Sequence, residues 1–255
     1  KSIAVQNNMS PPTAARIINE IDFKTGKLPQ VLAIDEFRGN AEGEKFQCIL
    51  ADPENRRIVD ILPNRKHDMI RHYLLKYNNR KAVKFVVMDM TGGYRKLMHE
   101  LFPQAKIIVD KYHFIRQVTW AIENVRKRLQ RSMPVSLRKY YKRSRKLILT
   151  RYKKLKDENK QACDLMLHYS EDLRLAHRMK EWFYDICQME AYRQQQREFD
   201  DWIANAQSCG IKEFEACAKT YRAWRKEILN AFKYGLTNGP TEGFNNKIKV
   251  LKRSS

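Results

Sequence analysis

Three acidic residues have positions that suit a metal-dependent reaction at phosphorus. Asp35 falls inside the first short apolar segment, Asp89 follows a continuous apolar run, and Glu242 opens the last helical segment. Three carboxylates brought together repel one another unless cations neutralise them. Mg²⁺ prefers oxygen ligands, and two ions ~4 Å apart activate the attacking oxygen and stabilise the leaving oxygen of a phosphodiester. We therefore expect the three acids to bind Mg²⁺ as a pair of ions, with Mn²⁺ able to substitute.

Each acid also has a purely structural interpretation. Asp35 can pair with Arg38 near the end of a strand, and Asp89 can cap a helix that begins near Thr91. Glu242 lies in a first helical turn, where the helix dipole favours a negative charge. The catalytic hypothesis therefore depends on the three carboxylates meeting in space.

The elements expected to position these acids alternate between strands and helices. Short apolar segments separated by turn residues predict strands, and apolar residues at helical spacing predict helices. The resulting order is βββαβαβ, a three-stranded meander followed by crossover helices. The strands are expected at 31–37, 46–51, 57–62, 83–88 and 106–109, and the helices at 67–77 and 92–102.

Beyond residue 110 the pattern is helical. Segment 111–234 is predicted to form several helices, broken near Pro134, after Lys156 and near Gly210. All four Trp residues lie in this segment, and we interpret them as helix-packing residues. After a turn at 235–239, a last helix is predicted over 240–251, with Pro240 well placed at its first position.

The charge of the chain favours a polyanionic partner. Its 50 Lys and Arg against 29 Asp and Glu give a net charge of +21, and +14 of this lies in residues 111–160. Such a concentration favours a phosphate-contacting surface over a merely solvated helical face, and nucleic acid over an acidic membrane. The candidate DNA-binding residues are Arg126, Lys127, Arg128, Arg131, Lys139, Lys142, Arg143, Arg145 and Lys146.

The Cys pattern and the hydropathy exclude other classes. Five Cys with no CxxC pair predict free thiols in a reducing compartment, without a zinc site or a disulfide framework. No apolar run approaches the ~18 residues of a membrane span. We therefore expect a cytoplasmic protein with no membrane partner.

Four segments of the chain resemble the DDE transposases of the ISL-three type of bacterial insertion sequence. They are VLAIDEF at 31–37, VVMDMTGGY at 86–94, DKYHF at 110–114 and TNGPTEGFNNKIKVLKR at 237–253. The resemblance implies an α/β, RNase H-like mixed sheet with helices, interrupted by a large all-α insertion. By motif position, Asp35, Asp89 and Glu242 are the catalytic acids, and Asp110 with His113 matches an Asp-x-x-His pair near the site.

The resemblance also implies a domain organisation. Residues 31–110 and 235–255 would form the catalytic core, its last helix truncated, around a basic helical insertion at 111–234. Residues 1–30, with a short helix at 13–20, would be a linker or the tail of a missing DNA-binding region. Asn245, Asn246 and Lys249 share a helix face with Glu242 and would line the DNA side.

The implied activity is cut-and-paste transposition. The protein would cleave double-stranded DNA at transposon ends and transfer the 3′-hydroxyl into target DNA, acting as a homo-oligomer on the bacterial nucleoid. Two alternatives remain open. One is an RNase H-like nuclease that only hydrolyses DNA, and the other is a non-catalytic DNA-binding protein derived from a transposase.

Overall fold

The chain folds as an α/β structure in which a five-stranded mixed sheet is joined to a helical region. The computed structural model describes residues 10, 12–13, 26–39, 43–143 and 145–253, without the side chains of Lys249 and residues 251–253. Of the helix predicted at 13–20, residues 14–20 lie outside the described residues. Within them, no helix combines the length and apolar content needed to cross a membrane.

The sheet has the strand order β3-β2-β1-β4-β5. Strands β1, β2 and β3 form the antiparallel meander predicted from the sequence. Strands β4 and β5 continue the sheet on the other side of β1, in parallel. Their bounds are β1 Val31–Arg38, β2 Phe46–Asp52, β3 Arg57–Leu62, β4 Phe85–Met88 and β5 Lys106–Val109.

Burial explains the different sequence patterns of the strands. β4 reads as a continuous apolar run because three of its four residues are buried, as expected where both faces of a sheet are covered. β3 lies at the edge and is mostly exposed. The β2–β3 turn is closed by Asp52, whose carboxylate accepts hydrogen bonds from Asn55 and Arg57 at 3.0 Å.

Eleven α-helices lie within the described residues. The helices α1 and α2 precede β4 and β5, and the rest follow the sheet. Their bounds are α1 His67–Leu75, α2 Gly92–Leu101, α3 Lys111–Gln130, α4 Val135–Arg143, α5 Arg145–Leu149, α6 Asp157–His168, α7 Glu171–Ile186, α8 Tyr192–Ser208, α9 Lys212–Ala223, α10 Arg225–Tyr234 and α11 Gly239–Arg253.

The predicted helix breaks are confirmed. Pro134 lies between α3 and α4, and Lys156 is the N-cap of α6. Gly210, with φ +73°, separates α8 from α9. The break before α7 is not marked by Gly or Pro. Its N-cap is Ser170, whose hydroxyl accepts a hydrogen bond from the Leu173 amide, and an N-cap Ser is easily overlooked in a polar stretch.

An aromatic cluster holds the helical region together. Phe183 packs against Trp202 and Tyr221 with ring centroids 5.1 and 5.2 Å away. Phe114 joins this cluster from the first turn of α3. The apolar core is continuous from the sheet into the helices. The helical region therefore shares its core with the sheet and orients α3 against it.

The helix α10 packs directly on β5. The Asn230 side chain donates a hydrogen bond to the Ile107 carbonyl at 2.8 Å, and the Tyr234 ring lies 4.8 Å from that of Phe85. The chain thus returns to the sheet before α11 begins.

The four Trp residues do not share one environment. Trp202 and Trp224 are buried, as predicted, and Trp182 is partly buried. The prediction is wrong for Trp120, whose ring is 46% exposed. Helical spacing places it on a face of α3 that no other helix fully covers.

Replacing Trp202 by Ala is expected to lower the free energy of unfolding by about 3–5 kcal/mol, because it empties a fully buried aromatic site. Urea denaturation of the purified protein measures this. The matched control is Trp120→Ala, which is expected to cost about 1 kcal/mol or less because its ring is half-exposed. Equal losses in both variants would contradict the assigned core.

Candidate active site at the ends of β1 and β4

Two of the predicted acids lie side by side. β1 and β4 pair in parallel, with Val31 opposite Phe85 and Ala33 opposite Val87. Two residues further along this register, Asp35 comes opposite Asp89. Their charges interact, since Asp89 raises the pKa of Asp35. The neighbouring parallel strands therefore bring together two carboxylates that are 54 residues apart in sequence.

The Asp35 carboxylate is held on both oxygens. Its Oδ1 accepts a hydrogen bond from the Glu36 amide at 2.7 Å, and its Oδ2 accepts one from Asn245 Nδ2 at 2.8 Å. Asn245 is itself buried, on the second turn of α11. The last helix thus fixes the orientation of the acid on the first strand.

Burial and repulsion disfavour the charged form of Asp35. Burial is the larger cause and the Asp89 carboxylate the second, and together they raise the pKa of Asp35 to about 7. The Glu36 amide and His113 act in the opposite direction. The positive charge around this half-buried carboxylate pair is therefore too small to keep the pKa of Asp35 at its usual value.

His113 contacts the second acid. Its Nε2 lies 2.8 Å from Asp89 Oδ1, and both side chains are about three-quarters buried, with 25% and 26% exposed. Burial by itself lowers the pKa of His113, but the hydrogen bond to Asp89 and the charges of Asp89 and Asp110 raise it above its usual value. The contact with Asp89 therefore favours the charged form of His113.

A buried loop before α11 ties the last helix to two strands. The Asn238 side chain donates a hydrogen bond to the Ile34 carbonyl of β1 at 3.2 Å. Its backbone amide and the Thr237 hydroxyl each donate to Asp110 Oδ2, which follows β5, at 3.3 Å. The start of α11 is therefore anchored beside the carboxyl ends of β1 and β4, where Asp35 and Asp89 lie.

Glu242 stands in the first turn of α11. Its side chain is exposed, and its charge raises the pKa of Asp35, so it lies within electrostatic reach of that carboxyl. α11 packs against β1. Among the described residues, no three His, Cys, Asp or Glu side chains converge closely enough to hold a metal ion as they stand.

The donor set at this edge nevertheless fits a hard divalent cation. Asp35 and Asp89 offer carboxylate oxygens, which are the ligands that Mg²⁺ prefers. Asn245 Oδ1 is a buried oxygen without a hydrogen-bond partner. The raised pKa of Asp35 indicates a carboxylate pair whose repulsion a cation would relieve.

The remaining residues expected near the site have different surroundings. Asp110 occupies the N-cap position of α3, but its carboxylate makes no hydrogen bond to the helix. It accepts hydrogen bonds from the Thr237–Asn238 loop instead. Asn246 is exposed. The Lys249 side chain lies outside the described part of the chain.

Two contributors were not predicted from the sequence. Asn238 and Thr237 belong to the 237–253 motif, but their contacts are with residues more than 120 positions away. The only signal was a run of polar residues before an amphipathic helix, which is typical of any solvent-exposed turn. Nothing in that run indicated that Asn238 would be 2% exposed.

The comparison with known proteins gives the family of the chain. The model of the ISL-three-type DDE family, described as transposase, matches residues 32–255. The chain belongs to this transposase family. It is 27% identical over 236 residues to the transposase for insertion sequence element IS1001 of Bordetella parapertussis. The match covers 88% of the chain and 56% of that relative, so the chain spans about half of the relative's length.

The predicted DNA-binding cations divide into two groups. Arg126 is 4% exposed, and its Nε and Nη2 donate to the Glu123 carboxylate at 2.8 Å. Arg128 pairs with Glu213 and Asp172. Arg126 is buried, and Arg128 is neutralised by two acids on neighbouring helices. In this transposase family member neither cation therefore belongs to the exposed basic surface.

The other cations remain exposed, although two lie near Glu123. Arg145 is 3.4 Å and Lys127 4.0 Å from the Glu123 carboxylate. Arg131, Lys139 and Lys142, together with Arg138, line an open groove of about 400 Å³ beside α4. The exposed members of the predicted set are Lys127, Arg131, Lys139, Lys142, Arg143, Arg145 and Lys146.

Asp35→Asn is expected to stabilise the metal-free fold at neutral pH. The folded pKa of Asp35, about 7, lies above the ordinary value of 3.8. The unfolded carboxyl therefore ionises first, and the wild type loses stability as the pH rises from about 4 to 7. The amide cannot ionise, so the variant should gain about 1–3 kcal/mol by pH 8.

Urea denaturation in the presence of a chelator, between pH 4 and 8, measures this difference. The control is Asp60→Asn, which removes a carboxylate on the edge strand β3, away from the Asp35–Asp89 pair. A stability difference for Asp35→Asn that is the same at pH 4 and pH 8 would contradict the buried carboxylate pair.

Proposed function

We propose that the chain is the catalytic part of a transposase that cuts DNA at transposon ends and joins the new 3′-hydroxyl to target DNA. The observation that carries the proposal is the parallel pairing of β1 with β4, which sets Asp35 opposite Asp89. Membership of the transposase family supports it. Because both ends of a transposon must be cut, at least two copies would act together on the DNA.

The acids would serve as ligands of divalent ions. Asp35, Asp89 and Glu242 are the residues that would hold Mg²⁺ or Mn²⁺. When bound, such ions activate the attacking oxygen and stabilise the leaving oxygen at phosphorus. Glu242 stands within electrostatic reach of Asp35, and in this proposal its side chain reorients to join the pair when the ions bind.

The reaction has two displacements at phosphorus. A water attacks the phosphodiester at the transposon end, the bond from phosphorus to the 3′ oxygen breaks, and a 3′-hydroxyl and a 5′-phosphate result. The freed hydroxyl then attacks a target phosphodiester and displaces its 3′ oxygen. The number of phosphodiester bonds is conserved in the second step, so it needs no energy source.

Neighbouring residues would position the reacting groups. Asn245 holds Asp35 by its hydrogen bond. His113, whose contact with Asp89 raises its pKa despite burial, would present its imidazole to a phosphate at the carboxyl end of β4. The exposed cations of α4 and α5 would contact the phosphates of the flanking duplex.

Replacing any one of the three acids by its amide is expected to reduce DNA cleavage to background while leaving DNA affinity largely intact. Asp35→Asn, Asp89→Asn and Glu242→Gln keep the side-chain shape and remove one ligand charge. Gel analysis of labelled transposon-end DNA with the full-length protein and Mg²⁺ resolves nicked from joined products.

The control is Glu54→Gln in the β2–β3 turn, at the opposite end of the sheet, which should cleave normally. Cleavage that survives Asp89→Asn would refute the assigned site. Nicked products without joined ones would identify a hydrolytic nuclease instead, and DNA binding without any cleavage would identify a non-catalytic binding protein.

The groove beside α4 is expected to contribute to phosphate binding. Replacing Arg138, Lys139 and Lys142 together by Gln should weaken DNA binding and flatten the slope of log K against log salt by about two to three units, near 0.9 per lost contact. Fluorescence anisotropy with a duplex at several salt concentrations measures the slope.

The matched control is the pair Lys76→Gln and Lys81→Gln. Both residues are exposed, and they precede β4, so they lie towards the end of that strand opposite Asp89. Their replacement should leave the slope unchanged. If both sets of variants change the slope equally, the positive charge of the whole chain attracts DNA without a localised binding surface, and the groove beside α4 has no special role.

A further inference from the structure

The helix α3 carries an exposed aromatic side chain that the proposed catalytic residues do not use. Trp120 is 46% exposed, whereas Trp202 and Trp224 are buried. The Arg116 guanidinium lies 4.2 Å from the centroid of the Trp120 ring. An indole half-open to solvent and backed by a cation is a surface on which a planar, electron-rich group can stack.

The position of Trp120 connects it to the candidate active site. Trp120 follows His113 by seven residues, which is close to two helical turns and returns to the same face of α3. At 1.5 Å per residue the two lie ~10 Å apart along the helix. His113 contacts Asp89. For a strand that runs along α3 with nucleotides ~3.4 Å apart, Trp120 would therefore lie about three nucleotides from the acids.

A groove runs beside Trp120, between α3 and α9. It has a volume of about 390 Å³, and its lining includes Gln117, Trp120, Asn124, Lys212, Glu213 and Thr220. The Gln117 and Asn124 side chains make no hydrogen bond within the described residues. These amides lie one turn on either side of Trp120 and offer both donors and acceptors, which suits the edge of a nucleobase.

The charge of the groove suits a nucleic acid strand. Lys212 is exposed on α9, and Arg116 lies over the indole. The one acid of the groove, Glu213, is already paired with Arg128 at 2.8 Å. Lys212 in the groove and Arg116 over the indole therefore place positive charge next to the two amides and the aromatic ring.

We propose that this groove binds an unpaired base of the DNA strand about three nucleotides from the cleaved phosphate, stacked on Trp120. The inference rests on the proposed function of DNA cleavage and specifies the form of its substrate. Inside a duplex both faces of a base are covered by its neighbours, so an indole recognises a base only after it has left the stack. A base held here would fix the register of the strand at the acids.

The test uses full-length protein and a nicked duplex that carries 2-aminopurine three nucleotides from the nick. In one probe the 2-aminopurine faces an abasic position and is unpaired, and in the other it faces thymine. The wild type is expected to bind the unpaired probe about tenfold more tightly, within the range of one stacked base, and to quench its fluorescence. Trp120→Ala should lose both effects and bind the paired probe as before.

Two further variants keep the test specific. Trp120→Phe should retain most of the preference because it keeps an aromatic face. Tyr169→Ala removes a comparably exposed ring, 45% exposed and elsewhere in the helical region, and should retain all of it. Equal binding of both probes by the wild type, or an undiminished preference in Trp120→Ala, would overturn the inference while leaving the proposed function standing.

A failure of the proposed function has a different signature. If the wild type binds neither probe, the chain does not bind DNA, and both proposals fall. If Trp120→Ala changes the sedimentation of the protein without DNA and leaves probe binding intact, the groove contacts a second copy of the chain, and the inference is wrong.

Discussion

The parallel contact between β1 and β4 is the feature on which the proposed active site depends. It is a hydrogen-bonded ladder that sets two carboxylates opposite each other at one edge of the sheet. Their repulsion and burial raise the pKa of Asp35, a cost that the fold carries in the absence of cations. An apolar or amide side chain at this position would avoid that cost, which is consistent with the proposed role of the acid pair in binding cations.

The elements around this pair hold it in a defined geometry. Asn238 and Asp110 join the start of α11 to β1 and to the end of β5, and Asn245 reaches from α11 to Asp35. α3 starts at the same edge and continues into the aromatic core of the helical region through Phe114. A strand of DNA lying along α3 would therefore be positioned by the same body that positions the acids.

Much of the fold followed from local patterns in the sequence. The β-strand order along the chain, the crossover helices and the breaks at Pro134 and Gly210 agree with the structure, since each depends on residues close in sequence. The burial of Arg126 and the exposure of Trp120 were not predicted. Both depend on which helices cover α3, and a helical pattern identifies a face without identifying its neighbour.

The sequence by itself supplied the prediction of the three acids, the element that carries each of them, and the concentration of positive charge at 111–160. Those features depend on residue type and spacing, which a single chain displays directly. Only the tertiary structure decided that Asp35 lies opposite Asp89, that Asn238 is buried beneath the last helix, and which cations remain free to bind a polyanion. These outcomes depend on contacts between residues tens to hundreds of positions apart, where packing and burial select among arrangements that local periodicity leaves equally allowed.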